Sequence, residues 1–100
     1  MEISDFLDYM RYERRRSQQT LQGYRLDLEA YVAYLDTLEG HVTVDTADTE
    51  DIRGWIEAMM DRGNSASSIC RRLSAVRSMY RYALARGLVS HDPAHIVRGP

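Results

Sequence analysis

One hundred residues at net charge −2, 44% hydrophobic and 28% charged, suit a single globular domain with one core and leave no room for a second. No apolar run reaches the ~18 residues of a membrane span, and the acidic start MEISDF lacks signal-peptide character, so a cytoplasmic protein with no membrane partner is expected. The lone Cys70 excludes an internal disulfide, and no second cysteine or nearby histidine gives it metal-ligand spacing.

Helical periodicity appears four times, and strand-like alternation is nearly absent. The first helix is expected from Ser4 to Arg15, with Ser4 as cap and Ile3, Phe6, Leu7 and Met10 on one face. The second is expected to start at Ser17, where S-Q-Q-T offers a capping hydroxyl, and to stop near Leu38, before Gly40. Its apolar stripe is Leu21, Tyr24, Leu28, Tyr31, Val32 and Leu35. HVTVDTADT has no helical period and reads as a loop. Asp48 is expected to cap a third helix whose first turn holds Glu50 and Asp51, favourable at the positive end of the dipole. Its buried side is Ile52, Trp55, Ile56 and Met59, and Gly63 with Asn64 ends it.

Ser65 or Ser67 can cap the fourth helix, and Gly87 closes it. On the helical wheel Ile69, Leu73, Val76, Tyr80, Ala83 and Leu84 form the core stripe. Arg71, Ser74, Arg77, Ser78 and Arg81 form a contiguous flank beside it, and Arg72 and Arg86 project on the other side. After Gly87, Asp92 and Pro93 end extended structure, and residues 94–97 suit one last turn.

Charge is segregated along this frame. Residues 1–25 carry five arginines against four acids, residues 26–61 ten acids against Arg53, and residues 62–100 seven arginines against Asp92. All thirteen cations are arginine, the side chain suited to planar, bidentate phosphate and guanine contacts. An arginine and serine flank beside an apolar stripe is a surface for phosphates, helped by the free N–H groups of a serine-rich helix start. The plainer reading is a solvated helix face. The other basic concentration, Arg14, Arg15 and Arg16, stands just before helix two; if the N-terminal regions of helices two and four lie side by side, they form one basic platform.

Two segments carry a resemblance. FLDYMRYERRRSQQTLQGYRLDLEAYVAYL is similar to a short first helix, an S-x-x-T turn and a Y-x-x-D-L continuation. SSICRRLSAVRSMYRYALARGLVSHDPA is similar to an S-x-x-R-x-L-S-A-x-R-x-aromatic helix followed by G-L and an N-P-A-like turn, with Asp92 in place of asparagine. Together they resemble the amino-terminal core-binding domain of the Xer-type tyrosine recombinases, the SAM-like domain of phage integrases.

The resemblance implies an all-α fold, a compact bundle of four helices, over residues 1–90, with residues 91–100 opening a linker to a catalytic domain absent from this chain. It implies binding of double-stranded DNA, one recombination half-site, through helices two and four, by Ser17, Thr20, Tyr24 and Arg25 and by Ser68, Arg71, Ser74 and Arg77. Arg81 and Arg72 are added from the wheel. Tyr24 also suits core packing, and Ser17 and Thr20 also suit simple capping. Other recombinase protomers are the implied protein partners, and chromosome dimer resolution or mobile-element integration the implied process.

No cofactor, metal or catalytic residue is expected within these residues. The seven tyrosines sit at helical positions with no arginine and histidine set in motif order around them. His41, His91 and His95 are expected in solvent, Trp55 and Met59 in the core, Met60 at its edge, and Cys70 on the helix surface. Two other classes stand beside DNA binding: a helix-turn-helix regulator, for which helix four is long, and an interaction module in which the acidic middle of one copy meets the basic third of another. A free-standing enzyme has no assignable nucleophile and base.

Overall fold

Four helices and no strand are present in the computed structural model, which describes all residues, Met1–Pro100: α1 (Ile3–Tyr12), α2 (Gln18–Asp36), α3 (Thr49–Asp61) and α4 (Ala66–Ala85). The radius of gyration, 13.0 Å, is that of one compact body of this length.

Local chemistry explains most boundaries. Ser17 accepts a hydrogen bond from the Thr20 N–H at 3.2 Å, Asp48 from the Asp51 N–H at 2.9 Å and Ser65 from the Ser68 N–H at 3.1 Å, so each satisfies an otherwise free first-turn donor. Helices α3 and α4 end alike. Gly63 (φ +84°) and Gly87 (φ +69°) take the left-handed conformation, and the next N–H groups, of Asn64 and Leu88, reach back to the carbonyls of Met59 and Ala83 at 3.1 and 2.8 Å.

Helix α1 departs from expectation at both ends. Its cap is Glu2, not Ser4, which is exposed within the first turn. Ile3 packs against the core as part of the helix, and the Asp5 carboxylate, three residues after Glu2, accepts the Glu2 N–H at 3.2 Å, so the start moves one residue earlier. The helix stops at Tyr12 because Arg15 is left-handed (φ +50°), and the Arg16 N–H closes the turn on the Met10 carbonyl at 3.0 Å. The three consecutive arginines are therefore the reversal that lays α2 back on α1.

Helices α2 and α4 form the centre: each touches the other and both α1 and α3, which do not touch each other. The core unites Phe6, Leu7 and Met10, then Leu28, Tyr31 and Leu35, then Ile52, Trp55, Ile56 and Met59, then Ile69, Leu73, Val76, Tyr80 and Ala83. Leu84 is a correction, since it is 45% exposed, while Ala75 and Met79 are buried in its stead. The helix is enclosed by α1, α2 and α3, so its buried arc is wider than one stripe and turned towards Ala75 and Met79.

Residues 37–48 form the expected loop, pinned by buried Val44 and Ala47. Gly54 gives α3 its close approach to α2: a Cβ there would stand 2.6 Å from the Tyr34 hydroxyl. The tail after α4 also packs. Val89, Ala94 and Val97 are buried, the Thr49 hydroxyl donates to the Pro93 carbonyl at 3.0 Å, and His91 Nε2 meets the Ala47 carbonyl at 3.0 Å.

Candidate nucleic-acid interface

Helix α2 begins beside grooves lined with cations. Arg11, Arg16 and Arg25 line a groove between α1 and α2 together with Gln18 and Gln22, and Arg16 also lines a second groove with Arg14, Tyr24, Ser78 and Arg81. Five arginines, from α1, the turn after it, α2 and α4, thus line two grooves that share Arg16 and flank the first two turns of α2. Asp8 lies in the first groove. Glu13 is held by Arg86 at 2.7 Å, and that hydrogen bond, then the charge of Glu13, raises the Arg86 pKa above its ordinary value. Arg86 also lies over the Tyr9 and Tyr82 rings, at 5.3 and 5.2 Å from their centroids.

The start of α2 is therefore beside a basic part of α4, but beside its second half, at Ser78 and Arg81. Along α2, Tyr24 shares a groove with Ser78 and Arg81, Asp27 meets Arg71 near the start of α4, and Tyr31 meets Tyr80, so the two helices cross here. The first half of α2 thus meets α4 both near its start, at Arg71, and in its second half, at Ser78 and Arg81.

The sequence-predicted residues take different positions on this surface. Arg25, Arg71, Ser74 and Arg81 are exposed. Ser17 and Thr20 are exposed but joined, with the Ser17 hydroxyl donating to Thr20 Oγ1 at 2.9 Å in addition to its capping bond. Tyr24 is half-buried, edge-on to Phe6 with centroids 5.8 Å apart, so its body belongs to the core and its rim to the groove. Ser68 is half-buried in the first turn of α4. Arg77 is half-buried and donates to the Val97 carbonyl, which engages it with the tail.

Arg72 faces another way. Its side chain is only 30% exposed, its Nε is buried 3.9 Å from Asp27 Oδ1, and its Nη1 lies 3.7 Å from Met59 Sδ, on the α3 side of the helix. The wheel places it off the core stripe, but α3 covers that arc, so Arg72 does not join the exposed surface.

Sequence reasoning left Arg11, Arg14, Arg16, Gln18 and Gln22 out of the site. The signal for three of them was present in the arginine run and in the polar first turn of α2. Asp27, the acid of the Y-x-x-D-L pattern and the one buried charged side chain, meets Arg71 across 44 residues, a partner that the pattern does not name.

The remaining expectations fall as follows. His41, His91 and His95 are exposed, Trp55 and Met59 are buried, and Met60 and Cys70 are exposed. No helix is long and apolar enough to cross a membrane.

The chain was compared with known proteins. The family described as "Phage integrase, N-terminal SAM-like domain" matches residues 3–87. The chain is 34% identical over 98 residues to tyrosine recombinase XerD of Listeria monocytogenes, covering 98% of this chain and 33% of the relative. It is 36% identical over 99 residues to tyrosine recombinase XerC of Pseudomonas putida, covering 99% of this chain and 33% of that protein. With XerC of Azotobacter vinelandii it shares 41% over 93 residues, covering 93% and 31%. It spans about a third of the length of these relatives. No solved structure matches the chain. The family match over most of the chain and a bundle of four helices agree: the chain belongs to the phage integrase N-terminal SAM-like domain family.

Proposed function

We propose that this chain is the DNA-binding domain of a site-specific tyrosine recombinase and holds one half-site of a duplex through α2 and α4. The observation that carries this reading is the set of Arg11, Arg14, Arg16, Arg25 and Arg81 lining two grooves that share Arg16 beside the first turns of α2. Guanidinium groups there bind phosphate oxygens in pairs, and the free first-turn N–H groups of α2 add an anion site in the same place. Arg25, Arg71, Ser74 and Arg81 are the exposed members that reach the duplex, with Ser17, Thr20, Tyr24 and Ser68 setting the two helix starts and the groove wall. Arg77 anchors the segment that leads out of the domain at residues 91–100. Arg72 takes no part.

In this reading strand cleavage belongs to a catalytic domain of the parent protein, which closes on the opposite face of the duplex. Further protomers bind neighbouring half-sites. The relatives are named tyrosine recombinases, which favours a role in recombination, whether in resolving chromosome dimers or in integrating a mobile element. The domain alone keeps part of the contact set, so its binding is weak and falls steeply with salt, as counterion release requires.

An NMR titration of the labelled chain with a short duplex tests the proposal. Amide shifts concentrated at residues 11–25 and 67–81, and lost on adding salt, are the expected result. Shifts confined to the acidic residues 26–61, or nanomolar binding indifferent to salt, would overturn it.

A further inference from the structure

Asp27 stands out as a carboxylate on the helix pair that presents the arginines. Its side chain is 7% exposed, and its Oδ1 accepts from Arg71 Nη2 at 3.0 Å and lies 3.9 Å from Arg72 Nε. Two consecutive arginines of α4 thus converge on one acid of α2. They differ in where the rest of the guanidinium goes: Arg72 turns inward to Met59, whereas Arg71 keeps 65% of its side chain in solvent.

A buried carboxylate is costly unless paired, and this one has more cation than it needs. Arg72 neutralises it from the interior side, so Arg71 gives it one hydrogen bond while its other donors face out. An unrestrained arginine loses rotamer freedom when it is fixed against a ligand. Arg71 is already fixed, by a partner that is itself held in the middle of a helix.

We propose that Asp27 is a positioning residue: it pre-orients the outward edge of Arg71 for a DNA phosphate, with Arg72 as the buried counter-charge that leaves the positive charge of Arg71 available. The inference rests on the DNA-binding reading above and assigns the acid a role within it. It runs against charge alone, since deleting a carboxylate beside DNA by itself tightens binding.

The test is a double-mutant cycle on the 100-residue chain, read by fluorescence anisotropy of a labelled 30-base-pair duplex at ~50 and ~200 mM salt. Asp27→Asn is expected to weaken binding about threefold or more in the native background and to have no such effect in Arg71→Ala, because Asp27 acts through Arg71. Asp27→Asn that tightens binding, or that weakens it equally in both backgrounds, overturns the proposal and leaves Asp27 a structural pair. Arg71→Ala that binds like the native chain overturns it while the DNA-binding reading stands. No binding of the native chain at the lower salt overturns both.

Relaxation of the guanidinium Nε–H groups in the unmodified protein gives a second readout that does not depend on a variant folding. Before DNA is added, Arg71 is expected to be rigid and Arg25 mobile; equal mobility of the two counts against pre-orientation.

Discussion

The hydroxyls of Tyr31 and Tyr80 meet 2.7 Å apart in the centre of the bundle, and Tyr80 donates its own proton to the Val44 carbonyl at 2.8 Å. A carbonyl only accepts, so Tyr31 must be the donor to Tyr80. This two-bond relay joins α2 and α4 to the 37–48 loop at buried residues.

Its direction makes the two tyrosines unequal. Tyr80→Phe strands both the Val44 carbonyl and the Tyr31 hydroxyl and is expected to cost about 2–3 kcal/mol, whereas Tyr31→Phe keeps the bond to Val44 and costs about 1 kcal/mol. Urea denaturation of the two variants checks the order. A larger loss for Tyr31→Phe would mean that Tyr80 does not donate to Val44.

The same pair makes the fold sensitive to base. Burial raises the pKa of both hydroxyls; after burial, the charge of Tyr80 raises Tyr31 further, while the hydrogen bond from Tyr31 partly lowers Tyr80. For a group whose folded pKa is raised, the stabilisation is complete below the unfolded value, about 10 for tyrosine, and is lost as pH rises towards the folded one. Denaturation midpoints should therefore fall steadily above pH ~10, and Tyr80→Phe should flatten the fall. A profile that stays level above that pH would contradict the buried relay.

The cap of α4 is a choice between serines. Ser65→Ala removes the acceptor for the Ser68 N–H and is expected to cost about 1 kcal/mol, whereas Ser67→Ala, inside the helix, changes stability by a few tenths at most. Thermal melts of both variants decide the matter, and equal effects would refute the cap assignment.

Among the arginines, exposure should separate affinity from stability. Arg25→Ala and Arg81→Ala are each expected to weaken duplex binding and reduce the slope of log K against log salt by about one, with melting unchanged. Arg72→Met should cost stability, about 1–3 kcal/mol, because buried Asp27 loses its interior counter-charge. Melting unchanged in Arg72→Met would show that Arg72 does not neutralise Asp27.

Much of the framework was legible before any tertiary information. Ser17, Asp48, Gly63 and Gly87 mark helix ends because capping and left-handed turns involve residues three to five apart, and the stripes follow because burial repeats with the helical period. The errors arose where a neighbour changes the local preference. Ser4 is a better cap residue than Glu2, but Ile3 is drawn into the helix by the core. Leu84 lies on the apolar wheel, yet no element covers it.

The sequence by itself determined four helices, the caps of α2 and α3, the segregated charge and a family pattern, all of which depend on spacing along the chain. Only the tertiary structure decided that the start of α2 faces Ser78 and Arg81, that Arg72 turns inward while Arg71 stays out, and that Asp27 sits beneath them. Those outcomes depend on the crossing of α2 and α4 and on the arc that α3 covers. They are contacts between different helices, 13 to more than forty positions apart in the chain, and no local period encodes them.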